Sequence, residues 1–120
     1  MNPQLIYQLD PTLHEKSRLS IASMLKERNV LSFIELKHLL CMTDGNLSVH
    51  IKTLEKKGYL DTCKSRETGK MRTTCRLSAC GMKALETYLE NLELILKAVR
   101  NSGEKAKNTG KVKKKELEMN

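Results

Sequence analysis

Apolar positions follow helical spacing in four stretches of this chain, and between the third and the fourth they switch to period two. In the first stretch Leu13, Ile21, Ala22, Met24 and Leu25 share one helical stripe. Asp10 is a cap residue and Pro11 suits the first helical position, so the pattern predicts a helix over 11–28, ended by Asn29. Val30 and Leu31 form a short extended link. Ser32 with Glu35 three residues on is a capping box opening a short helix over 33–40. Thr43 is the next cap, Asp44 favours the positive end of the helix dipole, and a helix over 44–57 stops at Gly58. Helix, short helix, tight turn, helix is the helix-turn-helix order.

After Gly58 two β-prone runs, 59–67 and 71–77, flank Thr68, Gly69 and Lys70 and predict a hairpin. With Gly69 at its centre, Lys64, Arg66, Lys70, Arg72 and Arg76 fall on one face as a basic ribbon. Tyr59, Cys63, Met71, Cys75 and Leu77 then share the other face, with Cys63 directly opposite Cys75. Such a cysteine pair is a candidate redox switch, set against two small apolar residues on a packed face. Ser78 caps a long helix reaching about Arg100. Its apolar residues Met82, Leu85, Leu89, Leu92, Leu96 and Val99 are spaced 3, 4, 3, 4, 3, a heptad seam that Tyr88, Leu94 and Ile95 widen. Leu85, Leu89, Leu92, Leu96 and Val99 are the expected dimer interface, helped by residues 3–9. Residues 101–120 lack periodic apolar positions and read as a disordered basic tail. The expected organisation is therefore one mainly α domain with a β-hairpin over 1–100, followed by that tail.

Charge sharpens the picture. The chain carries a net +8, and its excess is concentrated. Residues 1–51 and 77–100 each balance to zero, whereas 52–76 hold eight bases against three acids, and 101–120 add six against three. An excess confined to one segment builds a surface for a polyanion. The opening MNPQLIYQLD has neither a basic nor an apolar leader region, and no apolar run approaches a membrane span, so a cytoplasmic protein with reduced cysteines is expected. Cys41, Cys63, Cys75 and Cys80 form no C-x-x-C pair, which predicts no metal site; His14, Glu15 and His38 read as scattered surface residues. No phosphate-cradling glycine loop or nucleophile motif points to an enzyme or to a cofactor.

On a helical wheel Leu47, Ile51 and Leu54 face inward. Gly45, Val49, Lys52 and Lys56 lie opposite, flanked by Asn46, Ser48 and Thr53. That outward face has the chemistry of a major-groove reader: Asn for adenine, Ser and Thr for either base edge, Val for a thymine methyl, Lys for guanine or phosphate. Thr43 and Gly45 bring exposed N–H groups to the helix start, where a phosphate is favoured. Lys57 sits nearer the flank, with Lys64, Arg66, Lys70 and Arg72 as further phosphate-holding cations. His50 lies beside the core stripe and reads as a packed, hydrogen-bonded histidine.

The run FIELKHLLCMTDGNLSVHIKTLEKKGYL, preceded by LDPTLHEKSRLSIASML and followed by RTTCRLSACGMKAL, resembles the small winged-helix transcriptional regulators, compact relatives of the MarR and ArsR families of bacteria and archaea. The resemblance covers about residues 8–90. It implies a homodimer on double-stranded DNA, with helix 44–57 in the major groove and wing 66–72 along the backbone or minor groove. Where metal-sensing ArsR members carry a Cys-x-Cys pair before the reading helix, this chain has Cys41 alone. The alternative is a winged helix used as a protein-interaction module, its basic face meeting an acidic partner.

Overall fold

The computed structural model describes residues 2–107, apart from the side chains of Glu67 and of residues 103–107. In chain order the elements are α1 (Gln4–Tyr7), α2 (Lys16–Arg28), β1 (Leu31–Ser32), α3 (Phe33–Leu40), α4 (Asp44–Lys56), β2 (Leu60–Glu67), β3 (Lys70–Leu77) and α5 (Ala79–Lys107). They fall into two units: Asp10–Tyr88, and a smaller one with α1 and the part of α5 from Leu89 on.

The helix ends follow the cap residues, with one displacement. Asp10 does accept the N–H groups of Thr12 (2.8 Å) and Leu13 (3.4 Å), but it caps an isolated turn. Helix α2 starts only at Lys16, where the Glu15 carboxylate accepts the Arg18 N–H at 2.8 Å. At α3 both halves of the capping box form: Ser32 N–H donates to Glu35 (2.8 Å), and Glu35 N–H donates to the Ser32 hydroxyl (3.0 Å). The Ser32 N–H is the chief reason the Glu35 carboxyl lies below the usual carboxylate range. The α3–α4 turn passes through Cys41 in the left-handed conformation (φ 52°), and Gly58 (φ 82°) closes α4.

The core of the larger unit is aliphatic. Leu13, Ile21, Leu25, Leu36, Leu47, Leu54 and Leu85 are at most 1 % exposed. Fully burying such a side chain stabilises by roughly 1.5–3 kcal/mol, so each of these seven contributes substantially to holding the helices together. Two tyrosines seal the edges by their polar ends: the Tyr59 hydroxyl donates to Asp10 Oδ2, and the Tyr88 hydroxyl lies 2.8 Å from His14 Nδ1.

The three strands form one antiparallel sheet in the order β1-β3-β2. The extended link of the sequence reading is thus a short strand, Leu31 facing Cys75 and Ser32 facing Thr74. The hairpin turns on two residues, Thr68 and Gly69, both at positive φ (47° and 77°), as a type I′ turn requires. That turn overturns the expected register. A pairing symmetric about Gly69 would set Arg66 opposite Arg72, like charges face to face, which is destabilising. The observed register sets Arg66 opposite Met71, Arg72 opposite Ser65 and Arg76 opposite Asp61.

A one-residue slip exchanges the faces of one strand relative to the other, so the one-sided basic ribbon does not form. Lys64 and Arg66 share a face with Met71 and the buried Leu60 and Cys75, while Lys70, Arg72 and Arg76 lie on the opposite face.

Helix α5 runs past the expected end near Arg100 to Lys107, into the first part of the expected tail. Residues 108–120, the rest of that expected tail, lie outside the described residues.

Candidate nucleic-acid interface

Helix α4 is fixed from beneath by Leu47, Ile51 and Leu54, all at most 6 % exposed. Its start is fixed by the Thr43 hydroxyl, which accepts the Asn46 N–H at 3.1 Å. Near its end Glu55 accepts the Thr62 hydroxyl at 2.6 Å, tying the helix to the root of the hairpin. A helix held on three sides presents a defined fourth. There Gly45, Asn46, Val49, Lys52, Lys56 and Lys57 are exposed, and Ser48 and Thr53 are partly so. Val49 is 61 % exposed in the middle of this polar face, an apolar group presented to solvent. The Thr53 hydroxyl donates to the Val49 carbonyl at 3.0 Å, which leaves its oxygen as an acceptor.

His50 is packed, as its position on the wheel suggests. The Arg18 guanidinium, which can only donate, lies 3.2 Å from His50 Nδ1, and Glu15 Oε1 is 3.8 Å from the same atom. Burial works against the charged form of Glu15, but N–H donors from Arg18 and Ser17, with the charge of Arg18, hold its carboxyl below the usual range.

Two ion pairs beside this face escaped the sequence reading. Lys37 on α3 reaches Asp44 in the first turn of α4, Nζ to Oδ1 2.9 Å, and Arg72 on the hairpin approaches Glu35 at 4.0 Å. Long-range contacts of this kind have no local pattern. Lys64, Arg66, Lys70 and Arg72 are all exposed, as expected, but on two faces of the hairpin. Lys57 Nζ lies 5.9 Å from the Tyr59 ring centroid, so its stem covers the hairpin root.

Two expected sites are corrected by the structure. Cys63 faces Thr74 and Cys75 faces Thr62, so the two thiols point to opposite sides of the hairpin and no cross-strand pair exists. Burial also pushes the Cys75 thiol up to about 11, away from the reactive thiolate, whereas Cys63 is exposed. Leu85 is wholly inaccessible within the larger unit and is therefore core, not interface. Beyond it the seam is open: Leu89 is 39 %, Leu96 45 % and Val99 55 % exposed, with Leu92 partly buried. Among the described residues no group of three His, Cys, Asp or Glu side chains is placed to hold a metal ion, and His14, Glu15 and His38 form none. None of the described helices is long and apolar enough to cross a membrane.

Three helices in helix-turn-helix arrangement, a three-stranded sheet and a cationic β-hairpin after the exposed helix define a winged helix-turn-helix domain. The chain belongs to the family of winged helix DNA-binding domains, whose model matches residues 17–96. It is 35 % identical over 72 residues to an uncharacterized protein of Methanocaldococcus jannaschii, covering 60 % of this chain and 78 % of that one. Among solved structures it is similar to a transcriptional regulator homologue from Pyrococcus horikoshii OT3, with a TM-score of 0.72 and 26 % identity over 81 % of this chain and 94 % of the other. A mutant of MarR from E. coli shares the fold, with a TM-score of 0.65 and 13 % identity over 98 % and 83 % of the two chains.

Proposed function

We propose that this protein is a transcriptional regulator that binds duplex DNA as a homodimer, with α4 in the major groove and the wing on the backbone or minor groove. The observation that carries the reading is the exposed face of α4. It combines Asn46, Val49, Lys52 and Lys56 on a helix whose other sides are fixed. Asn46, Ser48, Val49, Lys52 and Thr53 read base edges. Thr43, Gly45, Lys56 and Lys57 hold phosphates, with Lys64, Arg66, Lys70 and Arg72 on the wing. Its position as a regulator is supported by the similarity to the P. horikoshii regulator homologue. Selection of bound sequences from random duplex tests the whole reading: enrichment of a pseudo-palindrome supports it, and no retention of any duplex at low salt rejects it.

Gly45 separates DNA contact from folding. A methyl group added there meets nothing within 4 Å, so Gly45→Ala should leave the free protein as stable as before or more so, by up to about 1 kcal/mol. In the proposed complex the same methyl stands between helix and phosphate. We therefore expect duplex affinity to fall by about tenfold, roughly the worth of one good contact, while the melting temperature does not fall. Unchanged affinity in a gel shift places that end of the helix away from DNA.

The dimer is assigned to the open seam of α5. Leu89, Leu96 and Val99 are 39 %, 45 % and 55 % exposed on one helical stripe with the partly buried Leu92, an apolar surface that a second copy covers. Leu96→Asp should convert the dimer to a monomer in sedimentation velocity. A two-fold pair would set half-sites about one helical turn, roughly 34 Å, apart. A wild-type chain that sediments as a monomer at micromolar concentration overturns this part of the reading.

A further inference from the structure

Along the outer edge of the wing lies a surface that shares only Lys70 and Arg72 with the proposed DNA contacts. Strand β3 pairs with β2 from Lys70 to Leu77, but β1 covers its other edge only at Thr74 and Cys75. Over residues 70–73 no described strand pairs with that edge. The first turn of α3 stands across the gap, and the two enclose a crevice of about 330 Å³ between Phe33 and Ile34 on one side and residues 70–73 on the other. Ile34 is 63 % and Met71 59 % exposed, two large apolar side chains in a position that charge would normally guard. The flanking charge is cationic, from Lys70 and Arg72. Glu35 approaches Arg72 at 4.0 Å, with both side chains about half exposed, a pair that contributes little and exchanges readily.

We propose that this crevice is a docking site for an extended acidic segment of a partner protein, which adds to the sheet as a strand along β3. An open edge supplies main-chain hydrogen bonds, and the alternation of β3 sets the occupant's sequence. Met71 and Thr73 point to one face, Lys70 and Arg72 to the other. Residues paired across strands share a face. A segment alternating apolar and acidic residues therefore puts an apolar side chain beside Met71 and Ile34, and its carboxylates beside Lys70 and Arg72. A second copy of β3 would bring Lys70 and Arg72 against their own kind, so self-pairing is disfavoured. A phosphate backbone would satisfy the cations but leave Ile34 and Met71 uncovered.

The test uses the full chain and a fluorescent seven-residue peptide alternating glutamate and leucine, read by anisotropy at low salt, with amide chemical shifts recorded in parallel. Saturable binding is expected, with the largest shifts at residues 70–73. Replacing the leucines by serine should weaken it by about tenfold or more, the worth of one buried aliphatic side chain. Ile34→Ser with Met71→Ser should do the same while leaving affinity for random duplex unchanged. Lys64→Ala with Arg66→Ala, on the strand away from the crevice, should change peptide affinity by less than about twofold, since only long-range screened charge is lost. Equal binding of the serine peptide would reduce the interaction to bulk charge and overturn the proposal. So would a double Ile34, Met71 variant that keeps its peptide affinity but loses duplex affinity, which would assign the surface to DNA.

Discussion

Gly81→Ala should unfold this domain more readily than any other single-methyl change. A Cβ built on Gly81 lies 2.0 Å from the Tyr59 carbonyl oxygen and 2.8 Å from its carbon. Those are backbone atoms, and they are held. The same carbonyl accepts the Ser78 N–H at 3.0 Å, and the Ser78 hydroxyl donates to the Gly58 carbonyl at 2.6 Å while accepting the Gly81 N–H at 2.9 Å. The first turn of α5 is thereby fastened to the exit of α4, and the space between them fits a hydrogen atom only. Neither partner can give way by rotating a side chain. The cost is at the upper end of the overpacking range, about 3 kcal/mol. For a domain of this size that corresponds to a fall in melting temperature of roughly 12–24 °C. Thermal denaturation followed by circular dichroism measures it, and a shift below about 4 °C, under 1 kcal/mol, would mean that the helix start moves freely. Gly45→Ala is the internal comparison, because it adds the same methyl to open space.

The second large effect belongs to the wing. Lys70→Ala with Arg72→Ala should weaken binding to every duplex alike and flatten its salt dependence. Each phosphate contact contributes about 0.9 to the slope of log affinity against log salt, so losing two lowers the slope by about 1.8. At about 100 mM salt that amounts to a loss of roughly 60-fold. Both side chains are exposed on one face of the hairpin, so the fold should tolerate the change. Wild-type affinity and slope in the double variant would remove this face of the wing from the DNA interface. The corresponding pair on the other face, Lys64 and Arg66, can be compared directly, since the observed register separates the two pairs cleanly.

That separation marks where local reading ends. Caps, helix stripes and the turn glycines are written in neighbouring residues, and so Ser32 with Glu35 and Thr43 start helices, and Gly58 closes one, where expected. The inward face of α4 is equally legible, because Leu47, Ile51 and Leu54 obey a period that only burial explains. Strand pairing is different. Each strand of the wing alternates by itself, but which residue of one faces which residue of the other depends on a turn of two or three residues. A single step exchanges a one-sided basic ribbon for a two-sided one. The same step parts Cys63 from Cys75.

Helix α5 shows the complementary limit. Its heptad spacing runs evenly from Met82 to Val99, yet Leu85 is inaccessible and Leu96 and Val99 are about half exposed. Periodicity marks a stripe as apolar. It does not say which part of the stripe the chain covers itself and which part it leaves to a second molecule.

By itself, then, the sequence determined the order of the four longer helical segments and the hairpin, the inward and outward faces of the exposed helix, and the concentration of charge in residues 52–76. These follow from spacing within a few residues, where caps, helical period and charge act locally. Only the tertiary structure decided the register of the wing, the division of α5 into core and open seam, the close approach of Gly81 to Tyr59, and the crevice beside β3. Each of these depends on residues distant in the chain meeting at fixed separations, and such meetings leave no period to read.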